Sequence, residues 1–200
     1  NNLENTIYEI LIEEFDINKA ICSTEIDGLD LIPSNIQLAG AEIELTNTRY
    51  REKTLREKLN LIDGNYDFII IDCPPSLGLL SLNALTASHS VLIPIQCEYY
   101  SLEGVGQLID TVKLVKKNLN PKLEIEGVLL NMYDGRTNLS AQVVEEVKKY
   151  FKNKVYRTVI PRNVRLAESP SFGQPIVLYD ENSKGSEAYI KLSEEIIKNN

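Results

Sequence analysis

The run YDFIIIDCPPS (66–76) drives an apolar stretch into a single carboxylate, Asp72, with Cys73 and two prolines directly behind it. β-Branched residues packed this densely predict a buried strand over 68–72. A carboxylate at the carboxyl end of such a strand does one of two things. It caps the following turn, or it holds a hard cation through oxygen, directly or through water. Nucleotide triphosphatases hold Mg²⁺ in the second way. Pro74 and Pro75 remove two backbone donors and stiffen the chain after Asp72. That suits a switch-like loop passing close to a ligand, or a sharp entry into a helix. Cys73 reads as a small buried thiol rather than a redox group.

A magnesium–triphosphate site also needs a phosphate cradle of the form G-x-x-x-x-G-K-[ST]. That pattern is absent from the 200 residues. Gly104 and Gly106 fall inside a helical stretch with no lysine after them, and Lys184-Gly185-Ser186 has no glycine loop before it.

The second chemistry on offer is charge. Between Lys148 and Arg165 stand Lys149, Lys152, Lys154, Arg157 and Arg162, with no Asp or Glu among them. The chain as a whole has 29 acidic and 21 basic residues, a net charge of -8. That balance argues against wholesale coating of nucleic acid but leaves room for a local patch. Such a segment is either a solvated face or a surface that neutralises phosphates without reading bases. One histidine, His89, and three cysteines without ligand spacing argue against a histidine metal site, a Ser-His triad or a disulfide framework.

These residues need elements to hold them. Helical spacing marks 6–15, most of 39–61, 77–87 and 139–151, and a final helix over 186–198. The stretch 101–118 places Leu102, Val105, Leu108, Ile109, Val112 and Val115 on one stripe. Strands are predicted at 29–35, 68–72, 91–96, 125–133 and 155–161. Strands apolar on both faces and separated by helices predict an α/β fold: a mostly parallel, doubly wound sheet with helices on both faces. The length suits a single domain over 1–200. No apolar run is long enough to cross a bilayer, and the first residues lack the basic and apolar regions of a signal peptide. A cytoplasmic protein is expected.

Four long segments, IIIDCPPSLGLLSLNALTAS (69–88), VLIPIQCEYYSLEGVGQL (91–108), GVLLNMYDGRTNLSAQVVEEVKKYF (127–151) and IPRNVRLAESPSFGQPIVLYDENSKGSEAY (160–189), closely resemble the ParA/Soj chromosome-partitioning ATPases. LDLIPSNIQLAGAEIEL (29–45) looks like the same family. The resemblance implies ATP and Mg²⁺ as cofactors, with Asp72 assisting the metal, and Pro74 and Pro75 starting a nucleotide-sensing switch. It implies that Asn131, Met132, Pro161 and Asn163 cradle the adenine, and that Arg136, Arg162 and Arg165 contact DNA without sequence preference. Glu98, Tyr99 and Tyr100 fall near the nucleotide and dimer face in that family. The implied partners are DNA on the nucleoid, a second copy in an ATP-bound homodimer and a ParB/Spo0J-type protein; no membrane contact is implied.

Family members begin with a strand, a deviant P-loop with a signature lysine and a helix, all of which would precede Asn1. The 200 residues are therefore expected not to hydrolyse ATP alone, and to leave two apolar strands with unpaired edges. Other readings are a catalytically inactive DNA- or partner-binding protein and a MinD-like positioning ATPase. The C-terminus, KLSEEIIKNN, has little of the basic amphipathic character that a membrane-seeking helix needs.

Overall fold

A computed structural model describes residues 5–62, 64–74, 76–98 and 101–200, without the side chains of 101–103. The chain forms two compact units. One runs to His89 and takes in Thr111–Leu123; the other comprises Ser90–Asp110 and Glu124–Asn200.

The first unit is mainly helical. Helix α1 (Ile7–Ile12) opens with a capping box, in which Thr6 Oγ1 accepts from the Tyr8 amide and Glu9 accepts from the Thr6 amide. Helix α2 (Ile17–Ala20) follows, and Ile10, Ile17, Ala20 and Ile62 form a small buried core. Strands β1 (Cys22–Ser23) and β2 (Asp30–Leu31) pair antiparallel. The strand expected over 29–35 is thus only this short rung. The helix expected over 39–61 is two helices, α3 (Leu38–Leu45) and α4 (Thr54–Leu59). The break has a local cause. Thr46 turns its hydroxyl back to the Ile43 carbonyl, Arg51 donates to the Thr46 carbonyl at 2.8 Å, and Tyr50 takes a left-handed φ of 59°.

Helix α5 (Leu79–Ala87) starts at Gly78, which has no side chain to cap it. Glu42 of α3 supplies the cap, accepting from the Leu80 amide at 3.2 Å. A Cβ on Gly78 would lie 2.2 Å from a Glu42 carboxylate oxygen, so a side chain there would push Glu42 out of this cap.

The strand expected at 68–72 does not form. Residues 68–72 pair with no strand among the described residues, and Phe68, Ile69 and Ile70 are exposed. β-Branched residues favour extended backbone, but a strand exists only where a neighbour completes its ladder. Cys73, expected to be buried beside that strand, is exposed with it.

The second unit carries the α/β architecture. Strands β3 (Ser90–Gln96), β4 (Glu124–Tyr133) and β5 (Val155–Pro161) lie parallel in that order. Helix α6 (Ser101–Asn118) connects β3 to β4, with Ser101–Asp110 in this unit, and α7 (Asn138–Phe151) connects β4 to β5. Val105, Leu108, Ile109, Val143 and Val147 cover one sheet face, against Ile93, Ile95, Val128 and Leu130. Short helices α8 (Val164–Glu168) and α9 (Ile176–Tyr179) precede α10 (Lys184–Asn199). Ala188 and Leu192 of α10 cover the opposite face, against Leu129, Tyr156 and Ile160. Consecutive residues Val128, Leu129 and Leu130 thus face alternate layers, which is why β4 is apolar without interruption. The expected parallel sheet with helices on both faces is present.

Strand β5 contains an irregularity that α10 repairs. Between the pairs Val128↔Val155 and Leu130↔Val159, β5 advances further than β4. The surplus donors go to one carboxylate: Glu195 accepts from the Arg157 amide at 2.8 Å, the Thr158 amide at 3.0 Å and the Thr158 hydroxyl at 2.9 Å. Burial pushes the Glu195 carboxyl up, but the hydrogen bonds from Arg157 and Thr158 outweigh it and hold it below its ordinary value. A depressed carboxylate stabilises the fold above its unfolded pKa and loses that contribution as pH falls through the folded value. Glu195→Gln is therefore expected to be less stable than wild type at pH 7. The gap should narrow below roughly pH 4. Urea midpoints of both proteins across that range check this.

Candidate functional site

Parallel strands end together, and in open α/β sheets ligands bind at those carboxyl ends. In the second unit the ends are hydrogen-bonded together, across a second register shift between Leu130 and Tyr133. Gln96 lies opposite Asn131, and Tyr133 opposite Pro161. The Cys97 amide donates to the Asn131 carbonyl, and the Arg162 amide to the Tyr133 carbonyl, both at 2.9 Å. Met132 takes a left-handed φ of 54°, its amide held at 2.8 Å by Asn131 Oδ1. Such a backbone costs on the order of 1 kcal/mol and is concentrated at functional sites. Asn163 Oδ1 caps α8, accepting from the Arg165 amide at 2.8 Å. Asn131, Met132, Pro161 and Asn163 are all half-buried on this one rim.

The sequence did not point to Ser140, which holds the rim from beneath. It is buried, and its hydroxyl donates to the Cys97 carbonyl at 3.2 Å. It also accepts from the Asp134 amide at 3.4 Å. The one sequence signal was its place three residues after Thr137, the cap of α7.

The three arginines are placed on exposed ground, each against carboxylate. Arg136 pairs with Asp134 through both Nε (2.9 Å) and Nη2 (2.6 Å). The Arg136 hydrogen bonds hold the Asp134 carboxyl far below the usual range. Arg162 pairs with Glu98. Arg165 meets Glu168 at 3.0 Å and Asp180 at 3.3 Å. Lys149 pairs with Glu146 at 2.7 Å. The segment 148–165 is free of acid in sequence, yet folding brings acid to it from α7, α8, the residue after α9 and the chain after β3. Lys148, Lys152 and Lys154 are exposed and show no ion pair among the described residues.

Asp72 and Pro74 belong to the first unit and are exposed. Pro75, Tyr99 and Tyr100 lie outside the described residues. No group of three or more His, Cys, Asp or Glu side chains among the described residues could hold a metal. A lone carboxylate fits Mg²⁺ better than other metals, since Mg²⁺ keeps waters and takes further oxygens from phosphate. An open cleft of about 460 Å³ lies along β5 and α10, lined by Arg157, Thr158, Lys184, Glu187 and Lys191, and reaches the rim only at Pro161. No helix among the described residues is long and apolar enough to cross a membrane.

Comparison with known proteins decides the family. The chain is 60% identical over 198 residues to the sporulation initiation inhibitor protein Soj of Bacillus subtilis, covering 99% of this chain and 78% of the relative. The chain belongs to the Soj/ParA family. The ParA chromosome partitioning protein of Myxococcus xanthus is 54% identical over 99% of this chain and 70% of its own length. An AAA domain family profile matches residues 1–125. Among solved structures, a cobyrinic acid a,c-diamide synthase from Mycobacterium smegmatis with bound ADP and magnesium superposes with a TM-score of 0.81. It is 37% identical and covers 96% of this chain and 71% of that one.

Proposed function

We propose that the chain carries the base-binding and magnesium-binding parts of an ATP-dependent chromosome-partitioning protein of the Soj/ParA type. The observation that carries this reading is the rim: a strained Met132 with its Asn131 latch lies near the end of β4, and on the neighbouring strand Pro161 closes β5, with Asn163 two residues on capping α8. Half-buried apolar side chains beside an amide suit a purine, which offers two flat faces and a polar edge. Asp72 would assist Mg²⁺, and the switch would begin at Pro74 and Pro75. The name of the solved neighbour suggests amide chemistry, but it is 37% identical, against 60% and 54% for relatives named for Soj and ParA. The ATP-bound state is a homodimer. It holds DNA without sequence preference through Arg136, Arg162 and Arg165, and a ParB/Spo0J-type protein acts on it. The expected site of action is the nucleoid in the cytoplasm.

Photolabelling with 8-azido-ATP tests the base site. Label is expected in peptides that span 131–133 or 161–163, with protection by excess ATP. Label confined to other peptides, or left unprotected by ATP, contradicts the reading.

A further inference from the structure

The turn between α3 and α4 carries an arrangement that the rim does not use. Tyr50 is held at a φ of 59°, a conformation rare for an aromatic residue, and is 57% exposed. The strain does not bury the ring; it presents it. Two cations gather on it. The Arg49 guanidinium carbon lies 5.0 Å from the ring centroid and the Lys53 ammonium 5.7 Å. Neither cation is in an ion pair with a carboxylate among the described residues, although the chain has 29 acidic residues to 21 basic. By contrast, Arg136, Arg162 and Arg165 are each bound by acid. Cation–π contacts offset only part of the repulsion between two like charges drawn to one ring. An external anion would relieve it.

We propose that Arg49, Tyr50 and Lys53 form a second nucleic-acid contact, one that grips the phosphate backbone. Two cations drawn to one exposed ring offer charge without a base-reading pattern, so the contact is independent of sequence. It rests on the proposed function only for the choice of DNA over another polyanion. A partner for a family that partitions chromosomes is DNA before it is an acidic peptide.

The test uses the full 200-residue chain with ATP and Mg²⁺ present throughout and a fluorescently labelled duplex, with anisotropy measured across a salt series. Arg49→Glu/Lys53→Glu is expected to weaken binding at least tenfold at low salt. Each lost phosphate contact lowers the slope of log affinity against log salt by about 0.9, so Arg49→Gln/Lys53→Gln should lower it by about 2. Tyr50→Leu keeps both charges but releases them, and should weaken binding a few-fold. Circular dichroism identical to wild type confirms that each variant is folded. Unchanged affinity and slope in the glutamine variant would overturn the proposal. So would a wild-type chain that does not bind the duplex, or polyglutamate displacing the duplex as well as unlabelled DNA does. Arg165→Glu run in parallel separates the two readings. If it alone weakens binding, this contact fails and the proposed DNA function stands; if neither variant has an effect, both fail.

Discussion

Replacing Leu130 by alanine is expected to cost the three-stranded unit about 3–4 kcal/mol. Leu130 sits in the middle strand and is 0% exposed, packed with Ile93, Ile95, Val128, Val143 and Val147. Strands hold it on both sides and α6 and α7 close over it, so the site cannot collapse to fill the lost volume. The cavity term therefore adds to the lost transfer energy. Urea denaturation should show a lower midpoint with an unchanged slope. Leu178→Ala is the control: Leu178 is 61% exposed and should shift stability by less than about 0.5 kcal/mol. Equal losses in the two variants would mean that the second unit lacks the packed core described above.

The second large effect belongs to the first unit. Asn83 on α5 is 1% exposed and makes three hydrogen bonds. Its oxygen accepts from the Leu55 amide at 3.1 Å, and its nitrogen donates to the Arg51 carbonyl at 2.8 Å and the Leu79 carbonyl at 3.0 Å. One side chain thus pins α4 to α5. Asn83→Ala removes all three bonds and leaves the Leu55 amide without its buried acceptor. At roughly 1 kcal/mol per bond plus that unmet donor, the loss is about 3 kcal/mol or more. Hydrogen exchange should report it at Leu55 first. Asn83→Asp keeps the acceptor and loses the donor, so Leu55 should stay protected while stability still falls. A loss below 1 kcal/mol for the alanine variant would show that α4 and α5 are held by something else.

The sequence was most legible where an element is defined by its own burial. Strands β3, β4 and β5 could be read from apolar runs because helices cover both faces. Helix α7 could be read from Val143, Val147 and Phe151 falling on one stripe. Residues 68–72 carry as strong a local signal as β4, yet form no ladder, because pairing is a property of two strands and propensity of one. The helix over 39–61 failed for a more local reason. Thr46 and Arg51 satisfy backbone carbonyls that a continuous helix would use, and periodicity alone is blind to that competition. Charge was the least legible feature. Arg162 meets a carboxylate 64 residues away in the chain, Glu98, and only folding shows that the basic segment is partly neutralised. On the rim, Asn131, Met132, Pro161 and Asn163 were reached by resemblance. The left-handed backbone at Met132 and the support from Ser140 appear only in three dimensions.

The proposed role of the strand-end rim of the second unit is to receive adenine. The most direct measurement is a titration of the ¹⁵N-labelled chain with adenosine, with guanosine in parallel. Adenosine carries the base without phosphates, so the result does not depend on a phosphate cradle. Adenosine-specific shifts are expected at the amides of Asn131, Met132, Arg162 and Asn163, with little change along Arg157 and Lys184. Shifts in that cleft instead, equal responses to guanosine, or no response on the rim at saturating adenosine would contradict it.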